Sequence, residues 1–277
     1  MYLQPSNLNE AVRDAQISGV KILAGGTDFY PSHGDALPDF PILDISRVPE
    51  ISGIERTEMG WRIGAMTTWT DVIRADLPPF FDGLKAAARE VGSLQIQNLG
   101  TIVGNLCNAS PAADGVPPLL TLDAEVELIG SNGTRTIPLR KFLKSSRNTD
   151  LRVGEILAAL HIPFAHGMVS QFSKLGSRKY LVISIAMVAV LLRVESGSIT
   201  EARIAVGACS PVATRLDMLE ADLVGVSDVF GSVQPMHLDP LSPIDDVRGS
   251  SEYRLDVLVP LIERALQAAF ESAWWTV

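Results

Sequence analysis

A strand that runs straight into two adjacent glycines constrains this chain more than any other stretch. Val20-Lys21-Ile22-Leu23 has strand character, and Ala24-Gly25-Gly26-Thr27-Asp28 follows without a break. Residues lacking Cβ let a backbone pass close to a ligand, and their successive N–H groups can point into one concavity. Such a nest suits a phosphate, with the Thr27 hydroxyl as a further donor. No Gly-Lys-Ser/Thr follows, so this is not a Walker A loop, and the spacing is not GxGxxG, so the Rossmann fingerprint is absent. Taken alone, the same residues also fit a plain tight turn.

Charge decides how a phosphate would be held. The 277 residues carry 23 Lys+Arg against 32 Asp+Glu, a formal net charge of −9. That balance disfavours nucleic acid and anionic membranes as partners, because both are gripped by a surplus of Lys and Arg. Any phosphate is therefore expected on backbone N–H groups and a few local side chains. At 47% apolar and 20% charged residues the composition is globular, and the length allows one large domain or a few lobes. Tyr180 to Leu192 is the greasiest stretch, yet it is too short to span a bilayer and contains Ser184. No basic region followed by an apolar run is read at the N-terminus, so a cytoplasmic protein is expected.

A second turn of the same kind is Gly100-Thr101-Ile102-Val103-Gly104-Asn105, continuing to Ser110-Pro111 and Asp114. Thr101, Asn105 and Ser110 offer donors and acceptors without charge, and Asp114 can accept from a sugar hydroxyl. The surrounding Leu94–Asp123 segment is rich in Gly, Asn, Ser and Pro. It reads as about thirty residues without regular structure, a length that is functional when ordered. A ligand cradle or an ordered structural loop both fit it.

Elsewhere the pattern alternates. Asn7 to Ser18 reads as a helix with Gly19 as its C-cap, and Ile42–Ile45 as a buried strand. Two short strands follow between Gly53 and Ala65, then a helix capped at Thr68 and another over Phe80–Val91. Asn132-Gly133 marks a hairpin between Ala124–Ile129 and Arg135–Leu139. Glu155–Ile162, Val169–Lys174, Leu181–Leu192 and Ile199–Gly207 read as strands, and Glu252–Ser272 as a closing helix. The two cysteines, Cys107 and Cys209, form no CxxC pair and cannot ligate an iron–sulfur cluster unaided. Four scattered histidines give no metal-ligand spacing, so no metal site is expected.

The combination of AGGTD and GTIVGNLCNASPAAD resembles the FAD-binding medium subunit of molybdenum hydroxylases. These include xanthine dehydrogenases, carbon monoxide dehydrogenases and dehydrogenases of N-heteroaromatic compounds. Gln95-Ile96-Gln97-Asn98, Glu155-Ile156-Leu157, Phe172 to Arg178 and Val247 to Arg254 extend the likeness nearly end to end. The second motif departs from the pattern at Val103, where a Gly is common.

The resemblance implies an α+β chain: a two-lobed FAD-binding domain of the vanillyl-alcohol-oxidase and p-cresol-methylhydroxylase type, then a small C-terminal α+β domain with an antiparallel sheet. The lobes would be residues 1–55 and 56–174, with 175–277 as the third part and FAD in the cleft between the first two. By matching position, Lys21, Ile22, Leu23, Ala24, Gly25, Gly26, Thr27 and Asp28 would lie on the pyrophosphate, as would Thr101, Ile102, Val103, Gly104 and Asn105. Ser110 and Asp114 would face the adenosine side, and Val91, Leu157 and Lys174 the flavin and its approach. Lys174 reads equally as a solvated surface lysine. The flavin is expected to be non-covalent, since no linking His or Tyr is identified.

What the resemblance implies for function is electron transfer, with no catalytic residue demanded of this chain. A large partner subunit would carry the molybdenum cofactor and a small one two 2Fe–2S clusters, as a heterotrimer or its dimer. A self-contained FAD-dependent oxidoreductase of the same fold stays open, as does a nucleotide-binding module without redox function. Trp274-Trp275 suits either the chain's own core or a subunit interface, where Trp is enriched.

Overall fold

The computed structural model describes residues 1–34 and 38–274. It resolves into two compact units, each assembled from separated stretches of chain. The first comprises residues 1–75, 93–109 and 124–164, and the second 76–92, 110–123 and 165–277.

The first unit holds two sheets. Tyr2–Leu3, Ile42–Asp44 and Lys21–Leu23 form a three-stranded parallel sheet in that order, with Leu23 opposite Asp44. The second sheet is five-stranded and antiparallel, in the order Ile54–Arg56, Gly60–Gly64, Ile156–Pro163, Glu125–Gly130, Gly133–Pro138. Its central strand is buried from Ile156 through Leu160, as expected where both faces of a strand are covered. The Asn132-Gly133 hairpin forms, and Gly133 supplies the positive φ of 109° that its turn requires. Thr68 and Asp71 make the expected capping box on Trp69–Arg74: the Asp71 N–H donates to Thr68 Oγ1 at 3.2 Å and the Thr68 N–H to Asp71 Oδ2 at 2.9 Å.

In the second unit Met168–Leu175, Ala186–Glu195, Ser198–Gly207 and Thr214–Arg215 form one antiparallel sheet. The apolar run that stood out in the sequence supplies its second strand only from Ala186 on. Residues 181–185, expected as part of it, precede the strand, and Leu181 adopts φ 53°. Ala186, Val188, Val190 and Leu192 pack with Leu258, Ile262, Ala265, Leu266 and Ala269 of the final helix, Ser251–Trp274. Met187, Ala189 and Leu191 are equally buried and point the other way. A Cβ built on Gly207 would meet both Met187 and Pro117, which places the helix Val116–Thr121 on that face.

Three expectations need correcting. The first helix is Leu8–Asp14, ending four residues before Ser18; Asn7 caps it by accepting from the Glu10 N–H at 2.9 Å. Glu10, three positions after the cap, accepts from the Ser6 N–H at 2.9 Å. The second helix covers Asp82–Glu90, preceded by a 3-10 turn at Pro79–Phe81. The largest difference is in the Leu94–Asp123 segment, which contains three short helices: Leu94–Leu99, Ile102–Asn108 and Val116–Thr121. Ser93 and Thr101 are N-caps of the first two, and Pro117 and Pro118 occupy the first turn of the third. The polar, Pro-rich texture read as loop is thus the composition of helix starts. The final helix reaches Trp274; the docking of Trp274-Trp275 lies outside the described residues. Among the described residues, no helix is long and apolar enough to cross a membrane.

Candidate functional site

The candidate residues fall into two groups, one in each unit. In the first unit, Lys21–Leu23 delivers the chain to the Gly25-Gly26 turn, where Gly26 adopts φ 73°. A Cβ built on Gly25 would run into the carbonyl of Leu99, with the carbonyl carbon 2.7 Å away. One on Gly100 would lie 3.2 Å from Thr27 Oγ1 and 2.9 Å from the Ile96 carbonyl. The two glycine-rich turns that looked independent in the sequence therefore pack backbone against backbone. Glycine is needed there because no side chain fits between them.

Thr101 fixes the second turn. Its hydroxyl accepts from the Gly104 N–H at 2.9 Å as the N-cap of Ile102–Asn108. The Trp69 N–H donates to the Gly100 carbonyl at 3.1 Å and the Ile102 N–H to the Thr67 carbonyl at 3.0 Å. On that helix the Asn105 side-chain oxygen is buried and has no hydrogen-bond partner. An unpaired buried acceptor costs about 1–3 kcal/mol, so it marks a place where a ligand donor fits. One turn later Asn108 donates to Asp28 Oδ2 at 2.7 Å and is itself held by Arg147, which donates to its backbone carbonyl at 3.2 Å. This holds the one carboxylate of the first turn in a fixed position. Leu157, also in this unit, is buried at a bulge in the central strand.

In the second unit the turn Ser110–Gly115 carries Asp114, 8% exposed. Lys174 Nζ donates to Asp114 Oδ2 at 2.7 Å and Ser184 Oγ to Asp114 Oδ1 at 2.5 Å, while Lys174 also reaches the Glu90 carbonyl at 3.4 Å. The Lys174 side chain is only 7% exposed, so the reading as a solvated surface lysine does not hold. Burial raises the Asp114 pKa; the Lys174 charge and the two hydrogen bonds pull it back the other way. Ser110 accepts from the Ala112 N–H at 3.3 Å inside its own turn, and Val91 is half-buried at the end of Asp82–Glu90. Lys174 also lines a cleft of about 380 Å³ with Ala86, Glu90, Phe172, Arg178 and Lys179.

Four participants escaped sequence reasoning: Asn108, Arg147, Ser184 and Glu90. Asn108 was detectable, because it lies one turn beyond Asn105 once the helix is recognised. Arg147, Ser184 and the Glu90 carbonyl have no local signal, since only tertiary placement brings them in. Both cysteines are free thiols, and among the described residues no group of three or more His, Cys, Asp or Glu is placed to hold a metal.

Comparison with known proteins divides the chain by sequence order, so that residues 76–92 and 110–123 of the second unit fall in the first match. Residues 1–165 match the family described as FAD binding domain in molybdopterin dehydrogenase, and residues 171–269 match the carbon monoxide dehydrogenase flavoprotein C-terminal domain. The carbon monoxide dehydrogenase medium chain of Hydrogenophaga pseudoflava is 30% identical over 282 residues, covering 97% of this chain and 96% of the relative. The xanthine dehydrogenase FAD-binding subunit of Escherichia coli O157:H7 is 30% identical over 263 residues, covering 91% and 89%. Among solved structures, carbon monoxide dehydrogenase from Hydrogenophaga pseudoflava superposes with a TM-score of 0.90 at 30% identity, over 98% of this chain and 96% of the other.

Proposed function

The chain belongs to the FAD-binding medium subunits of the molybdenum hydroxylases, and from that premise we propose that it is the electron-transfer subunit of a heteromeric enzyme. It would receive electrons from 2Fe–2S clusters on a small partner subunit and pass them to an external acceptor. A large partner would carry the molybdenum cofactor and the substrate chemistry, in a heterotrimer or its dimer. The lobes proposed along the sequence, 1–55, 56–174 and 175–277, are kept as a partition by chain order.

The observation that carries this reading is the side-chain-free contact of Gly25 with Leu99, together with the unpartnered Asn105 oxygen on the helix that follows the second turn. Both features fit a dinucleotide. Within the segments Lys21–Asp28 and Thr101–Asn105 the N–H groups of Lys21, Ile102, Gly104 and Asn105 are already engaged. Those of the Ala24–Asp28 turn, with Thr101 and Val103, would therefore take the pyrophosphate without positive charge, as an acidic chain requires. The Asn105 oxygen is an acceptor, so its partner is a hydroxyl flanking the pyrophosphate and not a phosphate oxygen. Bound non-covalently, FAD supplies a carrier that exchanges electrons singly or in pairs. The protein's part is to hold it and set its electrostatics. Ser110 would serve the adenosine side. Asp114, expected there from the sequence, is held by Lys174 at 2.7 Å and so would face the same part of FAD as Lys174, through a lone pair left free by Ser184 and Lys174. Val91, Leu157 and Lys174 would serve the flavin side. Asp114 lies 2.7 Å from the Lys174 ammonium, so the pair acts on the flavin as a dipole and not as a free cation.

No residue of this chain needs to act as nucleophile or general base. The test is to mix the FAD-loaded chain anaerobically with a reduced 2Fe–2S partner subunit. Bleaching of the flavin absorbance at the rate of complex formation is expected. Co-elution of the two chains without bleaching, or substrate turnover by this chain alone, would favour a self-contained oxidoreductase.

A further inference from the structure

The Asp114–Lys174 pair is tied to a residue far along the chain. Arg254, on the final helix, is 2% exposed. Its guanidinium donates to the carbonyls of Ile185 and Ala208, the latter at 2.9 Å, and to Asp246 Oδ1 at 2.7 Å. Ile185 precedes the strand Ala186–Glu195 and Ala208 follows its neighbour Ser198–Gly207, so one planar fork closes the ends of two paired strands.

Each of those carbonyls belongs to a segment that holds the pair. Ile185 follows Ser184, whose hydroxyl donates to Asp114. The Ile185 N–H donates to the carbonyl of Leu175, the residue after Lys174, at 2.8 Å. The Ala208 N–H donates to the Pro111 carbonyl at 3.0 Å, in the turn that presents Asp114. Ala208 adopts φ 63°, a conformation a non-glycine residue holds only when its surroundings impose it. All three links lead to the segments that carry the pair: Ser184 and Leu175 beside its two members, and the Ser110–Gly115 turn that presents Asp114.

We propose that Arg254 is the positioning residue of the Asp114–Lys174 pair, setting its geometry for FAD through Ile185 and Ala208 while touching neither member. A lysine at this position keeps the charge facing Asp246 but cannot donate in three directions from one plane. Its effect on FAD rests on the function proposed above; its effect on the pair does not.

Two readouts test it on the full chain. The first is acylation of Lys174 by an N-hydroxysuccinimide ester, followed by peptide mass spectrometry. Lys174 is slow in the parent, and Arg254→Lys raises its rate about tenfold while Lys141 and Lys144 keep theirs. Ser184→Ala gives the same rise with the final helix intact, so the test survives if Arg254→Lys fails to fold. The second is FAD affinity by flavin fluorescence in a double-mutant cycle. Arg254→Lys and Asp114→Asn each weaken binding about tenfold, and the double variant also by only about tenfold in total rather than a hundredfold, because both act through one pair. A Lys174 rate unchanged in a folded Arg254→Lys, or in Ser184→Ala where Arg254→Lys does not fold, or fully additive losses, would overturn the proposal. A parent chain that does not bind FAD defeats the proposed function and leaves the acylation result to decide this one.

Discussion

Gly25→Ala isolates the packing of the two glycine-rich turns. Gly25 is not among the residues with positive φ, so alanine meets no backbone penalty there and the whole cost is steric. The new methyl would sit 2.7 Å from the Leu99 carbonyl carbon, where ordinary contact begins at 3.4 Å, and closer still to the oxygen. The turns must part by about 0.7 Å or more, and overpacking of that kind costs about 1–3 kcal/mol. If the separation falls on the nucleotide cradle, FAD affinity drops by roughly 5- to 150-fold, at 1.4 kcal/mol per factor of ten. Gly19→Ala is the control: φ there is 72°, yet nothing lies within 4 Å, so it bears backbone strain alone. Flavin fluorescence titration of both variants reads the difference, with circular dichroism to show that each is folded. A folded Gly25→Ala protein that binds FAD like the parent, or one that loses no more than Gly19→Ala, would refute the reasoning.

Three further outcomes follow from the same structure. Lys174→Met strands the Asp114 carboxylate in a buried site and costs about 3–5 kcal/mol; adding Asp114→Asn recovers most of it, as read from denaturant midpoints. Thr101→Val removes the acceptor for the Gly104 N–H and costs about 1 kcal/mol of stability, with weaker FAD binding in a calorimetric titration. Burial alone would raise the Asp246 pKa, but the Arg248 N–H and the Arg248 and Arg254 guanidiniums outweigh it and hold it at about 2. Its contribution is therefore complete above the unfolded value of 3.8 and is lost as pH falls toward about 2, an effect of about 2 kcal/mol. Asp246→Asn should flatten the dependence of unfolding free energy on pH in that window, and an unchanged slope would contradict the assignment.

Strand positions were legible wherever the apolar pattern had one meaning. Of the run Leu181–Leu192 read as strand, the part from Ala186 on was legible because both its faces are buried. Residues 181–185, apolar but for Ser184, lie outside the strand. Asn132-Gly133 admits few structures besides a hairpin. The Leu94–Asp123 segment misled because three helices of six or seven residues are mostly ends: caps and prolines fill the positions where periodicity would show. The glycine turns were legible as a cradle, but not that Gly25 abuts Leu99, a contact between residues 74 positions apart. Lys174 shows the same limit. Its neighbours Arg178 and Lys179 suggest a solvated basic surface, and only the fold brings Asp114 and Ser184 to it. Chemistry that depends on one residue type in one turn was readable. Chemistry that depends on pairing across the fold was not.

The central claim is that this acidic chain holds FAD on uncharged backbone cradles. Titrating the purified full-length chain with FAD tests it most directly, by flavin fluorescence and by visible absorbance after gel filtration. The account predicts one FAD retained per chain, with affinity nearly independent of salt because no surplus of Lys and Arg holds the phosphates. A chain that emerges colourless after incubation with FAD, or whose binding collapses at moderate salt, would contradict it.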